Sequence, residues 1–183
     1  MCNILVKKSG YTLVELMVTV AIAGIVLSMA IPSFVSVVNA SRLTSYANDL
    51  VTALNLARSE AVKRGMQVTV RRAGATNSNW DGGWTVFTDF NNNGTQDGAD
   101  VLLRVYPALT SGATLRTSNN YACWVAFNAV GLSRGSGTSC NGGLSNDTFR
   151  LCDNTATIAT SIAIVVGPTG RVRTSDGTAS SCP

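Results

Sequence analysis

Residues 7–32 read KKSGYTLVELMVTVAIAGIVLSMAIP, and the interpretation of this stretch decides the fold. The 21 residues of 11–31 cover about 31 Å at helical rise, which matches a bilayer core. One carboxylate, Glu15, falls at the fifth position of that apolar run. A charge at the centre of a span costs roughly 2.5–3.5 kcal/mol on insertion scales, so a carboxylate inside a span is a functional candidate. The plainer alternative is that Glu15 lies near enough to the end of the run to snorkel to the headgroups. Lys7 and Lys8 precede the run, so the positive-inside rule puts the short N-terminus in the cytoplasm and the remainder outside. A secretory signal would have a shorter apolar region, about 7–15 residues, followed by a small-residue cleavage site. Here the small residue, Gly10, comes before the apolar run.

The chain has 183 residues, enough for one domain and an appendage. Cys2 falls on the cytoplasmic side, whereas Cys123, Cys140, Cys152 and Cys182 fall beyond the membrane. An even number of exported cysteines implies two disulfides in an oxidising compartment, with three possible connectivities. The expected pairs are Cys123 with Cys140 and Cys152 with Cys182, the second tying a polar C-terminal tail to a strand. A zinc site is the alternative, but the chain contains no CxxC pair and no histidine. The missing histidine also excludes Ser-His and Cys-His catalysis. Asp147 and Asp153 stand apart among turn residues and do not read as an acid/base pair. The chain is therefore not expected to be an enzyme.

Pro32 interrupts the helical pattern, kinking or loosening it where the span would leave the bilayer, within one expected helix of about fifty residues. Beyond it Leu43, Ala47, Leu50, Leu54, Ala57 and Ala61 recur at spacings of four and three, the stripe of an amphipathic helix. Arg42, Asp49, Arg58, Glu60 and Lys63 mostly fall off the stripe, and Gly65 is placed to cap the helix. After Gly65 the pattern becomes β-like. MQVTVRR, GWTVFTDF, DVLLRVY, CWVAFN, FRLC and SIAIVV are rich in Val, Ile, Thr and aromatics. Residues 73–79, 91–100 and 131–146 are loops by composition. The second half of the long helix would cover one face of the resulting sheet.

With KKSG before the cut and YTLVELMVTVAIAGIVLSMAIP after it, the opening stretch resembles the class III signal of type IV pilins and pseudopilins. The resemblance implies that a prepilin peptidase cleaves after Gly10 and methylates the new N-terminal residue, Tyr11, where the family usually has Phe. It makes Glu15 the family's glutamate, which pairs with the free amine of a neighbouring subunit during assembly, so that the charge is neutralised in the filament. Three further segments, ALNLARSEAVKRGMQVTV, GWTVFTDFNNNGTQDGADVLLRV and IAIVVGPTGRVR, resemble the GspH/FimT branch of minor pilins and pseudopilins. The fold implied is α+β and pilin-like, a long helix packed on an antiparallel β-sheet domain. Its parts are a leader (1–10), a membrane and filament-core helix (11–31), an amphipathic helix (32–65) and a periplasmic β-rich domain with a C-terminal tail (66–183). Expected partners are other pilins or pseudopilins, the prepilin peptidase and the inner membrane.

Two constellations bear on ligands. Asp89, Asn91, Asn93, Gly94, Thr95, Asp97 and Asp100 fall at positions 1, 3, 5, 6, 7, 9 and 12 of an EF-hand-like loop. Position 12 is Asp instead of Glu and no flanking helices are expected. Weak calcium binding is the lesser reading: an Asx-rich turn between strands explains the same residues without metal, so no cofactor is expected. In GPTGRVR, Arg171 and Arg173 lie two apart on a strand, on one face and about 6.6 Å from each other, a spacing that suits phosphates along a nucleic acid. Residues 101–183 carry six arginines against three aspartates; without Lys7 and Lys8 the chain keeps twelve basic and ten acidic residues.

Two arginines on an edge strand are also what edge protection looks like. The resemblance shifts the reading, because GspH/FimT-like minor pilins of competent bacteria are associated with DNA capture through a C-terminal GRxR pattern, matched here by Gly170, Arg171 and Arg173. Lys63, Arg64, Arg71, Arg72, Arg134 and Arg150 could widen the patch, and Trp80, in a loop, could stack on bases. Trp84 and Trp124, inside strand-like runs, are expected in the core. The function expected is that of a type IV pilus minor pilin, in assembly or at the tip, binding double-stranded DNA for uptake. The alternative is a type II secretion pseudopilin that contacts secreted proteins and has no DNA affinity.

Overall fold

The structure, a computed structural model, describes residues 10–143, 146–155, 160–176 and 182. Cys2, Lys7, Lys8 and most of the leader lie outside the described residues, as does the C-terminal tail apart from Cys182. The element order is one helix, α1 (Leu13–Arg64), followed by nine strands. These are β1 (Val68–Arg72), β2 (Trp84–Thr88), β3 (Leu102–Tyr106), β4 (Thr114–Arg116), β5 (Trp124–Phe127), β6 (Ser133–Gly135), β7 (Asp147–Cys152), β8 (Ile162–Val166) and β9 (Val172–Asp176).

The chain divides into two compact units, Met1–Asn39 and Ala40–Pro183. In the first, Thr12 caps α1: its Oγ1 accepts the Glu15 amide at 3.2 Å and its carbonyl accepts the Leu16 amide. Thr12 and Glu15 thus have the T-x-x-E spacing of a capping box, and the Glu15 carboxylate sits where the helix dipole favours negative charge. The hydroxyls of Thr19 and Ser28 donate back to the carbonyls of Leu16 and Ile25, which satisfies them inside an apolar run. The large apolar side chains described from Leu13 to Val37 are exposed. Among the described residues α1 alone is long and apolar enough to cross a membrane. It is assigned as one helix straight through position 32, so Pro32 does not end it.

In the second unit the expected stripe is the buried one: Leu43, Ala47, Leu50, Leu54, Ala57 and Ala61 are buried, joined by Ala53. Gly65 closes the helix in a left-handed conformation, φ 68°, with the amides of Gly65 and Met66 both donating to the Ala61 carbonyl. That is a glycine C-cap.

The strands form two antiparallel sheets. Sheet A has the order β3-β2-β1-β5-β6 and sheet B the order β4-β7-β8-β9. Alternation puts Val68, Val70, Trp84, Val86, Val125 and Phe127 of sheet A in the same buried cluster as Leu115, Phe149, Leu151, Ile162, Ile164 and Val166 of sheet B, together with the helix stripe. Burial of this shared core is the main stabilising contribution, about 1.5–3 kcal/mol for each large side chain fully removed from water. Trp80 belongs to it. Its ring meets Phe149 edge-on at 4.9 Å and its Nε1 donates to the Tyr121 carbonyl.

The outer face of sheet A carries a second, smaller cluster of Ala122, Cys123, Trp124 and Ala126, backed by Cys140. Disulfides join Cys123 to Cys140 and Cys152 to Cys182. The 131–146 segment, read from composition as loop, contains β6, which pairs with β5.

Candidate nucleic-acid interface

The β8–β9 connection is built by glycines and clamped from outside. Gly167 N donates to the Arg171 carbonyl at 3.0 Å and Gly170 N to the Gly167 carbonyl at 2.9 Å, closing the turn. Ser133, at the start of β6, donates its amide to the Pro168 carbonyl and its hydroxyl to the Gly167 carbonyl. Arg58 of α1 reaches the same turn: Nη2 donates to the Thr169 carbonyl at 3.0 Å and Nε to the Gly131 carbonyl at 3.1 Å. Gly170 is buried, with φ at 74°, and a Cβ there would overlap the Gly131 carbonyl oxygen. Only glycine fits both that conformation and that approach. Gly170 therefore shapes the turn, whereas its place in the GRxR pattern had put it among the DNA contacts.

Arg171 and Arg173 leave this turn exposed. Arg171 sits just before β9, and Arg173 pairs with Val165 on the edge of sheet B. Val172, between them, packs on the core, so strand alternation sends both arginines outward. They line one open cleft of roughly 280 Å³ with Val165, Gly167, Pro168 and Thr169. Register extends the same outer face through Thr148 and Arg150 of β7 to Arg116 of β4, and none of the strand positions on it is acidic. Arg150 donates to Ser118 Oγ, and Arg116 is ion-paired with Asp81.

The remaining candidate cations are committed elsewhere. Lys63 and Arg64 both pair with Glu60; its carboxyl is held below the usual range, first through the Arg64 hydrogen bond. Arg71 donates to the Gly94 carbonyl, and Arg134, on sheet A, to Gln67 Oε1. Arg72 is buried and binds the carbonyls of Ala122, Gly74 and Ala75 and the Asn77 side chain. Burial pulls the pKa of both Arg71 and Arg72 below the ordinary arginine value. Asp89 opposes the shift at Arg71, and Arg71 reinforces it at Arg72. A patch widened by Arg71 and Arg72 is therefore not formed: these two hold loops.

Trp80, Trp84 and Trp124 are all buried. Trp80, left open to base stacking by its loop position, is held inside, its backbone amide donating a hydrogen bond to the Leu115 carbonyl. Its neighbour Asn79 bridges to Arg116.

The 89–100 loop turns its first carboxylate inward. Asp89 is fully buried and accepts four hydrogen bonds, from Gln67 Nε2, Thr69 Oγ1 and the amides of Asn93 and Gly94. Asp97 accepts from the side chains of Asn91 and Asn93, and Asp100 from the amides of Phe90 and Asp97. No cluster of three or more acidic, histidine or cysteine side chains able to hold a metal occurs among the described residues. The hydrogen bonds of this loop are those of Asx turns. Asp147 is likewise no loose turn residue. It is buried at the start of β7 and accepts the amides of Asn120 and Tyr121.

Arg58 was not singled out by the sequence. It follows stripe residue Ala57, a position on the border of the buried face from which a long side chain can reach neighbouring carbonyls. That was the available signal.

A long helix, apolar in its first part and packed beneath antiparallel sheets in its second, with a small disulfide-closed β domain, defines a pilin-like subunit. Two family models match, the prokaryotic N-terminal methylation motif over residues 5–31 and type II transport protein GspH over residues 46–170. The chain belongs to the GspH family, within the type IV pilins and pseudopilins. A search of curated proteins finds no match. Among solved structures, the type IV minor pilin FimU of Pseudomonas aeruginosa is similar in two crystal forms. In space group P21 the TM-score is 0.61 at 20% identity, covering 78% of this chain and 96% of that one. In P65 the TM-score is 0.58 at 20% identity, covering 76% and 99%. The likeness is one of fold. Membership in this family makes the chain a structural subunit that assembles with other pilins.

Proposed function

We propose that this chain is a minor pilin of a type IV pilus that acts in assembly or at the tip and captures extracellular double-stranded DNA on Arg171 and Arg173. The observation that carries the reading is the exposure of both guanidinium groups in one cleft, on a sheet face without acidic strand positions, beside a turn held at several points. Binding there is electrostatic and blind to base sequence. The buried tryptophans leave no stacking platform from those residues, so duplex is the natural ligand.

The remaining steps are those of the family. A peptidase cuts after Gly10, Tyr11 becomes the methylated N-terminus, and Glu15 meets the amine of a neighbouring subunit. The domain waits in the periplasm on its inner-membrane helix until assembly.

The match to a type II transport family supports a second reading, a secretion pseudopilin without DNA affinity. The two readings part on one experiment: fluorescence anisotropy of a labelled duplex of about 30 base pairs with the full chain in non-ionic detergent. At about 0.1 M salt, loss of two phosphate contacts weakens binding by roughly 50-fold, so Arg171→Ala/Arg173→Ala is expected to bind that much more weakly than the parent. A parent chain that fails to bind at low salt would leave the secretion reading standing.

A further inference from the structure

We infer that Arg58 is a positioning residue for the nucleic-acid site, holding the turn that presents Arg171 onto α1. The inference rests on the DNA reading and goes beyond it, because Arg58 need not touch phosphate. Its guanidinium is divided between two backbone carbonyls, Gly131 and Thr169, which belong to different turns of different sheets. Thr169 is two residues from Arg171, and the intervening Gly170 lacks a side chain where one would meet both the Gly131 carbonyl and Arg58 Nε. The absence of a side chain at Gly170 and the reach of Arg58 are thus one fitted arrangement. A planar guanidinium reaches the two carbonyls from two separate nitrogens, Nε and Nη2, held in a fixed fork, whereas a lysine carries all its donors on one nitrogen at the end of a flexible stem.

The far side of the turn has separate support. Ser133 binds the carbonyls of Gly167 and Pro168, and β9 stays paired to β8 through five register positions. Loss of Arg58 would therefore loosen 169–171, leaving that segment only the turn's own hydrogen bonds at Gly167 and Gly170, while sheet B stays intact. The site would lose its preset geometry and keep its charges. One consequence is mechanical: the segment that grips DNA is tied by Arg58 directly to the helix, as well as through the sheet.

Two measurements on the full chain in non-ionic detergent test this, with Arg58→Ala and Arg58→Lys beside Arg171→Ala. The first needs no DNA. Hydrogen exchange at the Gly170 amide is expected to quicken about tenfold in Arg58→Ala, while the β8 amides keep their parent rates. Unchanged exchange at Gly170 would overturn the positioning role.

The second is the salt dependence of duplex binding. Arg58→Ala is expected to weaken binding about fivefold at fixed salt, equivalent to one typical hydrogen bond, with the slope of log K against log salt unchanged. Arg58→Lys should recover only part of the loss. Arg171→Ala should lower the slope by about 0.9. A slope lowered by that amount in Arg58→Ala would make Arg58 a phosphate ligand and overturn the proposal, as would parent-like affinity. If the parent itself does not bind duplex, the DNA reading falls with the site role built on it, and the exchange result alone decides whether Arg58 holds the turn.

Discussion

Replacing Asp89 with alanine is expected to destabilise the β domain by about 3–5 kcal/mol, the range of a buried network left without its acceptor. The carboxylate is fully buried and is shared by four donors, two from side chains of the β1 region and two from backbone amides of its own loop. Removing it leaves three buried donors, Gln67 Nε2, the Thr69 hydroxyl and the Gly94 amide, without their acceptor. Asparagine is no remedy, because its NH2 would face donors where an acceptor is required. The loop also packs on Trp124, since a Cβ at Gly94 would overlap the indole. Tryptophan fluorescence during thermal unfolding therefore reports both loss of stability and loosening of the loop. A variant whose melting matches the parent would mean that Asp89 does not organise the loop.

Gly170→Val is expected to cost about 3 kcal/mol or more and to weaken DNA binding at the same time. A β-branched residue at φ 74° carries a penalty of about 1–3 kcal/mol for the backbone alone. Overlap with the Gly131 carbonyl and crowding of Arg58 Nε come on top of it. The turn must then rebuild, and Arg171, the next residue, leaves its place beside Arg173. Gly98→Ala is the control: nothing lies within 4 Å of a Cβ there, so its stability should stay within about 0.5 kcal/mol of the parent. Thermal unfolding and duplex binding of both variants check the prediction. Parent-like binding by a folded Gly170→Val chain would detach the turn from the site.

Much of this architecture was legible in the sequence because it obeys periodicity. The four-and-three spacing from Leu43 to Ala61 identified the buried helix face, and the β-branched run around Ile162, Ile164 and Val166 marked β8. β4 and β6 were not legible. At three residues each they are too short to show a period, and β6 lies among Gly and Ser. Without them the division into two sheets could not be seen.

Arg72 was within reach of the same reasoning, since it continues the inward series Val68, Val70; its charge drew attention to solvent when its register pointed inward. Trp80 was not, because its burial depends on a bridge between Asn79 and Arg116, 37 residues apart. At the proposed site, the spacing of Arg171 and Arg173 suited phosphates and edge protection alike, and it was the GRxR resemblance that singled them out. Arg58 could not be connected to them, because the contact joins α1 to a turn 111 residues away.

The most direct test of the proposed DNA site is photo-cross-linking of the full chain to duplex DNA, with the linked peptides identified by mass spectrometry. Cross-links confined to the β8–β9 segment, 160–176, and lost in Arg171→Ala/Arg173→Ala are the predicted result. Cross-links on the β3 edge of sheet A, or a pattern indifferent to the two substitutions, would contradict it.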